Sequence, residues 1–186
     1  MFANKITYYV TILMLCSTQA VYSSEAMNAD INGITLGMSM SNAIKEMPCN
    51  AKPNATINGE DSYNHIHSYQ IICETDSDNR LIVNITHDKY VYSVIKYVRY
   101  RFVPDWRKII DKILSKYGSP DVNEKKKMCW GCSGHSTNRK LRVEYGYSDN
   151  KGLTIRLEDY GLEKRNEKLN MDAWEDYRKK HSDINL

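Results

Sequence analysis

Two cysteines separated by two residues are the most chemically suggestive feature of the chain, in the segment Cys129-Trp130-Gly131-Cys132. This spacing is typical of thiol-disulfide oxidoreductases, in which a thiol at a helix N-terminus has a lowered pKa and attacks a substrate disulfide. Residues 133–138 lack the composition of a helix, and tryptophan lies inside the pair rather than before it. We therefore expect a structural disulfide, with redox catalysis by Cys129 and Cys132 as the alternative.

Other side chains that could hold a metal are scattered along the chain. Cys129, Cys132 and His135 would supply three zinc ligands, but a second ligand pair at suitable spacing is missing. His65 and His67 alternate at the start of a strand and therefore face one side, with no carboxylate at a fixed spacing. Nothing in the sequence pairs a nucleophile with a base. We predict no metal, no other cofactor and no enzymatic activity.

The most informative polar residues alternate along a predicted strand. Tyr97, Arg99 and Arg101 are two residues apart, so they share the face opposite to the apolar residues of that strand. Tyrosine and arginine are enriched in protein interfaces, and the chain has 14 tyrosines. Trp130 would add an exposed anchor on a constrained loop tip. We predict that these four residues bind a partner; an ordinary solvated sheet face with cross-strand Arg–Glu pairs is the alternative.

The elements that position these residues can be predicted from hydrophobic periodicity. Residues 33–37 form a short strand, and Ser39 then caps a helix that Pro48 ends. Residues 50–64 form a loop without periodicity. Three alternating strands follow. Their predicted inward residues are Tyr69, Ile71 and Cys73 in the first, Leu81, Val83 and Ile85 in the second, and Tyr92, Val94, Val98, Tyr100 and Phe102 in the third.

The second part of the chain repeats the order of helix and strands. Pro104 begins a helix that Gly118 ends, and a loop rich in lysine and cysteine follows. Residues 140–148 and 152–160 form a hairpin. Its inward residues are Leu141, Val143, Tyr145, Tyr147, Leu153, Ile155 and Leu157, and its outward residues are Arg142, Glu144, Thr154, Arg156 and Glu158. A last helix, 162–180, buries Leu169, Ala173, Trp174 and Tyr177.

These elements predict an α+β fold, in which an antiparallel sheet has helices packed on one face and a C-terminal helix is added. Pro48 follows the first predicted helix and Pro120 follows the second. These matching ends suggest a duplicated helix-then-strands unit with halves at 33–102 and 103–162, within a single domain of residues 27–186. The chain of 186 residues is 41% apolar and 26% charged, which excludes a polytopic membrane protein and a fully disordered chain. A net charge of only +3 argues against a nucleic-acid partner.

Residues 1–26 have the pattern of a secretory signal peptide. Lys5 precedes an apolar run of about 11 residues, shorter than the roughly 20 needed to span a membrane. Leu15 stands where a lipoprotein would need a small residue before Cys16. We expect cleavage after Ala20 or Ala26, no lipid anchor, no stable membrane insertion afterwards, and a periplasmic or secreted location.

Four cysteines remain in the mature chain, and disulfides persist in an oxidising compartment. Of the three connectivities, Cys49 with Cys73 and Cys129 with Cys132 closes the shortest loops. The first of these disulfides should stabilise the fold by about 3 kcal/mol in the chain-entropy model.

Two short segments carry a resemblance to small exported bacterial proteins. Gly33-Ile34-Thr35-Leu36-Gly37-Met38-Ser39 leads into the first helix, and Leu114-Ser115-Lys116-Tyr117-Gly118-Ser119-Pro120 closes the second. The predicted architecture is similar to the tandem helix-on-sheet modules of the beta-lactamase inhibitor protein and of the outer-membrane assembly lipoprotein family that includes SmpA. The resemblance implies a non-enzymatic periplasmic protein that binds a partner. We expect an inhibitor or immunity protein, or an accessory subunit of an envelope assembly, whose partner is another envelope or secreted protein.

The export prediction can be tested by intact-mass measurement of the protein recovered from the periplasm or the medium. We expect a mass that lacks residues 1–20 or 1–26 and carries no acyl chain, because the apolar run is too short to remain as an anchor. A mass that retains Lys5, or that includes a fatty acid, would contradict the prediction.

Overall fold

The computed structural model describes residues 28–57, 66–76, 78–133 and 138–181. The predicted signal peptide, His65 and His135 lie outside these residues, as does the side chain of His67. The elements are β1 (Asp30–Ile31), β2 (Ile34–Thr35), α1 (Met40–Glu46), β3 (Asn54–Ile57), β4 (Ile66–Asp76), β5 (Asn79–Thr86), β6 (Val91–Arg99), α2 (Trp106–Tyr117), β7 (Val122–Glu124), β8 (Lys127–Trp130), β9 (Arg139–Tyr147), β10 (Gly152–Asp159) and α3 (Tyr160–His181).

Eight of these strands form one antiparallel sheet in the order β3-β4-β5-β6-β10-β9-β8-β7. The first half of the chain contributes α1 and the meander β3 to β6, and the second contributes α2 and the meander β7 to β10. The last strands of the two meanders, β6 and β10, pair at the centre. The predicted α+β fold class is therefore confirmed, and each half has the order expected of a helix-then-strands unit.

The hydrophobic core lies on the face of the sheet that α1 and α2 cover. Alternation along the strands places one row of five almost fully buried residues side by side on this face. They are Ile71, Val83, Val94, Leu157 and Leu141. The helices contribute the buried residues Ala43, Met47, Ile113 and Tyr117. The predicted inward residues of β4 and β5 therefore lie where alternation places them.

Ser39 caps α1 and Gly118 ends α2, as the sequence indicates, but α2 begins at Trp106 and not at Pro104. The Ser39 side chain accepts a hydrogen bond from the Asn42 amide at the start of α1, and Asp105 caps α2 in the same way. Gly118 ends α2 with a positive φ of 73°, a conformation that residues with a Cβ rarely adopt.

Ion pairing and hydrogen bonding hold the β1–β2 hairpin against the second core helix. Lys116 forms a salt bridge of 3.0 Å with Asp30, and the Tyr117 hydroxyl donates to the Asp30 carbonyl at 2.8 Å. Lys96, which the inward pattern of β6 omits, donates to the Asn32 side chain. Burial, together with the charge of Lys116, lowers the pKa of Lys96.

Four short strands are absent from the prediction. β1 precedes the predicted strand 33–37, β3 lies in the predicted loop 50–64, and β7 and β8 lie in the predicted lysine and cysteine loop. β3 and β7 are edge strands of only four and three residues, and β3 follows Pro53 in a segment whose composition indicates a loop. The predicted strand at 33–37 is instead part of the β1–β2 hairpin, which turns at Asn32 and Gly33 with positive φ angles.

The third predicted strand is too long. β6 ends at Arg99, opposite Gly152 at the start of β10, and the Tyr100 amide then donates to the Lys151 carbonyl in the turn before β10. Arg101 and Phe102 follow the strand, and the Arg101 guanidinium lies 5.5 Å from the centre of the Phe102 ring. Phe102 is 74% exposed, so its predicted core position is wrong. Because Arg101 lies beyond the end of β6, strand alternation does not place it on the same face as Tyr97 and Arg99, contrary to the prediction.

Trp130 is not an exposed anchor on a loop tip, so that prediction is wrong. It is the last residue of β8, where it pairs with Leu141 of β9, and only 2% of it is exposed. Its indole Nε1 donates to the Gly118 carbonyl at 3.2 Å, and its ring meets that of Tyr117 edge-on. Pairing with β9 turns Met128 and Trp130 towards α2, because alternate residues share a face.

The C-terminal helix contacts β4, β5 and β6, and its inward residues differ from those predicted. Leu169, Ala173, Trp174 and Tyr177 are only partly buried, whereas Asn166 and Asn170 are buried. The Asn166 side chain accepts a hydrogen bond from the His87 amide. Polar packing of this kind has no apolar stripe, which explains why the sequence pattern identified the wrong residues.

Replacing Trp130 by alanine should lower the free energy of unfolding by about 3–5 kcal/mol, as expected for removal of a buried aromatic side chain from a core. Urea unfolding followed by far-ultraviolet circular dichroism measures this change. The matched control is Trp174→Ala in the half-buried part of α3, for which we expect a smaller loss. Equal losses in the two variants would contradict the core position of Trp130.

Candidate functional site

One face of the eight-stranded sheet remains largely uncovered. This open face is the side opposite to α1 and α2, and the register of the strands defines its residues. They run across the sheet in two neighbouring rows: Ile72, Ile82, Ile95, Arg156, Arg142, Cys129 and Val122 in one, and Glu74, Arg80, Tyr97, Thr154, Glu144, Lys127 and Glu124 in the other. The open face thus combines an isoleucine patch with arginine and tyrosine.

Three adjoining depressions cross the open face. The central depression, of about 330 Å³, is lined by Tyr97, Arg142, Glu144, Tyr147, Thr154 and Arg156. A second of about 300 Å³ lies towards β4 and β5 and shares Tyr97 with it. A third of about 250 Å³ lies towards β7 and β8 and shares Arg142 and Glu144. We call this row of three neighbouring depressions across the strands the channel.

Two arginines of the central depression share one carboxylate. Arg142 Nη1 donates to Glu158 Oε2 at 3.1 Å, and Arg156 Nη1 lies 3.4 Å from Glu158 Oε1. The Tyr160 hydroxyl donates to the same Oε2 atom at 3.1 Å. Each arginine side chain is 38% exposed, whereas the Glu158 side chain is 16% exposed. The carboxylate is therefore less exposed than the two guanidinium groups that it holds.

Neighbouring tyrosines support the central depression. The Tyr147 and Thr154 hydroxyls lie 2.6 Å apart, and the Tyr147 ring covers Gly152 so closely that a Cβ there would collide with it. Desolvation lowers the pKa of Arg156, but the charge of Glu158 and the Tyr97 hydroxyl outweigh it, so that pKa is raised. Arg156 is therefore a permanent cation in this site.

The position of Tyr147 corrects the predicted inward face of the hairpin. The register between β9 and β10 shifts at Gly152 and Leu153, and Gly146 has a positive φ of 68°. This bulge turns Tyr147 to the open face instead of the core. A glycine inside an alternating strand is the sequence signal that could have indicated it.

The predicted partner-binding residues are separated by the structure. Tyr97 lines the central depression, and Arg99 is exposed two residues further along the same face. Arg101 lies beyond β6, and Trp130 lies in the core. Two of the four predicted residues therefore belong to the open face, together with the outward hairpin residues that alternation identified.

The structure pairs Cys49 with Cys73 and Cys129 with Cys132, as predicted from loop closure, with Cα atoms 5.9 Å and 5.8 Å apart. The second disulfide borders the third depression of the open face, where Cys129 is buried and Cys132 is half-exposed. Asp121 accepts hydrogen bonds from the amides of Gly131 and Cys132. Cys129 lies in β8 and Cys132 two residues after its end, so within the described ranges the pair is not at a helix N-terminus of the kind that lowers a thiol pKa in oxidoreductases.

The start of α3 borders the open face beside β9. Lys140 Nζ lies 5.1 Å from the centre of the Tyr160 ring, and Arg142 lies 5.9 Å from it. Burial raises the pKa of Tyr160, and the charge of Glu158 adds to this. Burial also raises the pKa of Glu163, with the charges of Glu167 and Glu158 acting in the same direction.

Comparison with known proteins adds no relative: no family model, curated protein or solved structure matches the chain. Within the described ranges, no group of three or more His, Cys, Asp or Glu side chains is placed to hold a metal ion. None of the helices in the described part of the chain is long and apolar enough to cross a membrane.

Replacing Glu163 by glutamine should raise the free energy of unfolding at pH 7. The pKa of Glu163 in the folded state lies above the reference value of 4.5, so between these two pKa values the folded state binds more protons than the unfolded state. The free energy of unfolding therefore falls as pH rises through this range, and it stays lower at neutral pH. Urea unfolding should show a gain for Glu163→Gln at pH 7 that disappears near pH 3.5, where the carboxyl is largely protonated in both states.

The matched control for this measurement is Glu175→Gln, an exposed position further along α3. We expect a smaller change for the control at pH 7. A gain for Glu163→Gln that is equally large near pH 3.5 would show that the effect does not come from ionisation of this carboxyl.

Proposed function

We propose that this is an exported, non-enzymatic protein that binds another envelope or secreted protein through its open sheet face. The observation that carries the proposal is the channel of three adjoining depressions, centred on Tyr97, Arg142 and Arg156. The site offers residue types that dominate binding energy in protein interfaces. It lies on paired strands rather than on loops, so little backbone freedom is lost on binding.

The edges of the channel have charges that could select a partner. Arg80 pairs with Glu74 on one side, and Lys127 lies 3.7 Å from Glu144 on the other. All four side chains are more than half exposed. Rim charges of this kind affect association rate and specificity more than affinity. The half-buried isoleucines Ile72, Ile82 and Ile95 supply apolar area between them.

Two forms of the proposal remain open. An inhibitor or immunity protein would cover the working surface of a secreted enzyme, whereas an accessory subunit would hold part of an envelope assembly. The proposed resemblance to the tandem helix-on-sheet modules of the beta-lactamase inhibitor protein and of SmpA-like lipoproteins includes both forms. A periplasmic or secreted location, with the signal peptide removed, belongs to the same proposal.

The alternative from another class is a thiol-disulfide oxidoreductase that uses Cys129 and Cys132. The half-exposed Cys132 beside the third depression favours it, because a substrate disulfide could approach there. The absence of a helix N-terminus at the pair, among the described residues, disfavours it. Insulin reduction that depends on Cys129, and is lost in Cys129→Ser, would replace the binding proposal by this alternative.

The binding proposal is tested by a photo-crosslinking amino acid in place of Tyr97, introduced into the exported protein in its native host. We expect one covalent adduct with an envelope or secreted protein, identified by mass spectrometry. The same amino acid in place of Lys108, which is exposed on α2 and faces away from the sheet, is the matched control and should give no such adduct.

With the crosslinked partner purified, Arg99→Ala should weaken its binding by about 2 kcal/mol, or about 30-fold, as expected for a hot-spot residue. Lys112→Ala on the exposed side of α2 should leave the affinity unchanged. Calorimetric titration measures both values. Equal affinities for the two variants, or an adduct at Lys108 alone, would contradict binding through the open face.

A further inference from the structure

We propose that the central depression binds a carboxylate, presented by an acidic side chain on the surface of the protein partner. This inference rests on the proposed function, because it names the chemistry that the open face recognises. The residues that would hold the carboxylate are Arg142 and Arg156, with the Tyr147 and Thr154 hydroxyls beside them.

Arg142, Arg156 and Glu158 together carry one net positive charge. Arg142 and Arg156 both pair with Glu158, and this is the only carboxylate that pairs with either of them among the described residues. Glu144 also lines the depression, but its partner is Lys127 on β8. One carboxylate balances only one of two guanidinium charges, so the site favours one further monovalent anion.

The hydrogen-bond donors of the depression are also in excess. A guanidinium has five N–H donors, and each arginine gives one nitrogen to Glu158. Glu158 lies to one side of them, two positions along β10 on the same face, and the arginine side chains remain 38% exposed at the channel. A carboxylate that arrives from solvent can therefore accept from the remaining N–H donors of both guanidinium groups while the existing ion pairs stay in place. Paired donors of this geometry match carboxylate oxygens well.

The arginines are held in place before any ligand arrives. Arg142 and Arg156 are directly opposite each other on β9 and β10, and Glu158, itself bound by the Tyr160 hydroxyl, holds both guanidinium groups. A donor set that is already ordered loses less side-chain entropy on binding. The Tyr97 hydroxyl interacts with Arg156 from β6, so three adjacent strands position the site.

An acidic side chain on a protein fits this site better than a free inorganic anion. A phosphate dianion would exceed the single net positive charge of Arg142, Arg156 and Glu158. The site is also a shallow part of a long channel, so an isolated ion would keep most of its water. A carboxylate on a protein surface gains the contacts of the whole channel in addition to the arginine pair.

The experiment uses the purified, oxidised protein and two terminally blocked peptides of sequence Gly-Gly-Asp-Gly-Gly and Gly-Gly-Asn-Gly-Gly at equal ionic strength. Nitrogen-15 NMR follows the Nε–H signals of Arg142 and Arg156 and the amide of Thr154. We expect saturable shifts with the aspartate peptide and binding at least about tenfold weaker with the asparagine peptide, which has no charge. Inorganic phosphate is the third probe and should bind more weakly than the aspartate peptide.

Arg156→Gln should weaken binding of the aspartate peptide at least about tenfold, and Arg156→Lys should give an intermediate loss, because lysine keeps the charge without the paired donors. Arg80→Gln removes an arginine from the same face outside the central depression and should change nothing. If amide dispersion shows that Arg156→Gln is unfolded, Arg142→Gln takes its place.

Three results would overturn the inference: no shift at either arginine, equal shifts with the asparagine peptide, or tighter binding of phosphate than of the aspartate peptide. These results leave the proposed function separately testable. If the aspartate peptide does not bind while Arg99→Ala still weakens binding of the crosslinked partner, the open face binds protein by other contacts. If the aspartate peptide binds and no partner is crosslinked at Tyr97, the carboxylate site stands and the proposed function fails.

Discussion

The pairing of β6 with β10 is the constraint on which the rest of the structure depends. Residues 93–99 pair with residues 152–158 without interruption, and this joins the two meanders into one sheet. Because side chains alternate along each strand, the same register places Val94 with Leu157 in the core and Tyr97 with Thr154 on the open face. A slip of one residue would bury Arg156 and expose Leu157, so the core and the candidate site are specified together.

The arginine pair is a direct consequence of this register. Arg156 and Glu158 share a face because they are two positions apart on β10, and pairing with β9 places Arg142 opposite Arg156. The three charges therefore meet through strand geometry alone, without a flexible loop. Desolvation disfavours such a cluster, but the partly exposed guanidinium groups keep water contact beside the less exposed carboxylate. The two arginine side chains are therefore held in place and still accessible to a ligand.

Local patterns predicted most of the fold, whereas long-range pairing decided the parts that the sequence left out. Ser39 and Gly118 mark helix ends through their own chemistry, and alternation in β5 indicates its buried face without knowledge of the neighbours. Trp130 could not be placed in this way, because only pairing with β9 turns it into the core. Tyr147 depends on a bulge between β9 and β10, which period-two alternation cannot represent. The arginine and tyrosine face was predictable; its depressions and shared carboxylate required the register.

The outer strands of the sheet carry a further consequence. β3 has four residues and follows Pro53, while β7 has three and leads into Lys125 and Lys126. Long bare outer strands would recruit other chains through their backbone groups, and prolines, charges and short length prevent this. Among the described residues, the two outermost strands themselves therefore offer a second copy little backbone to extend.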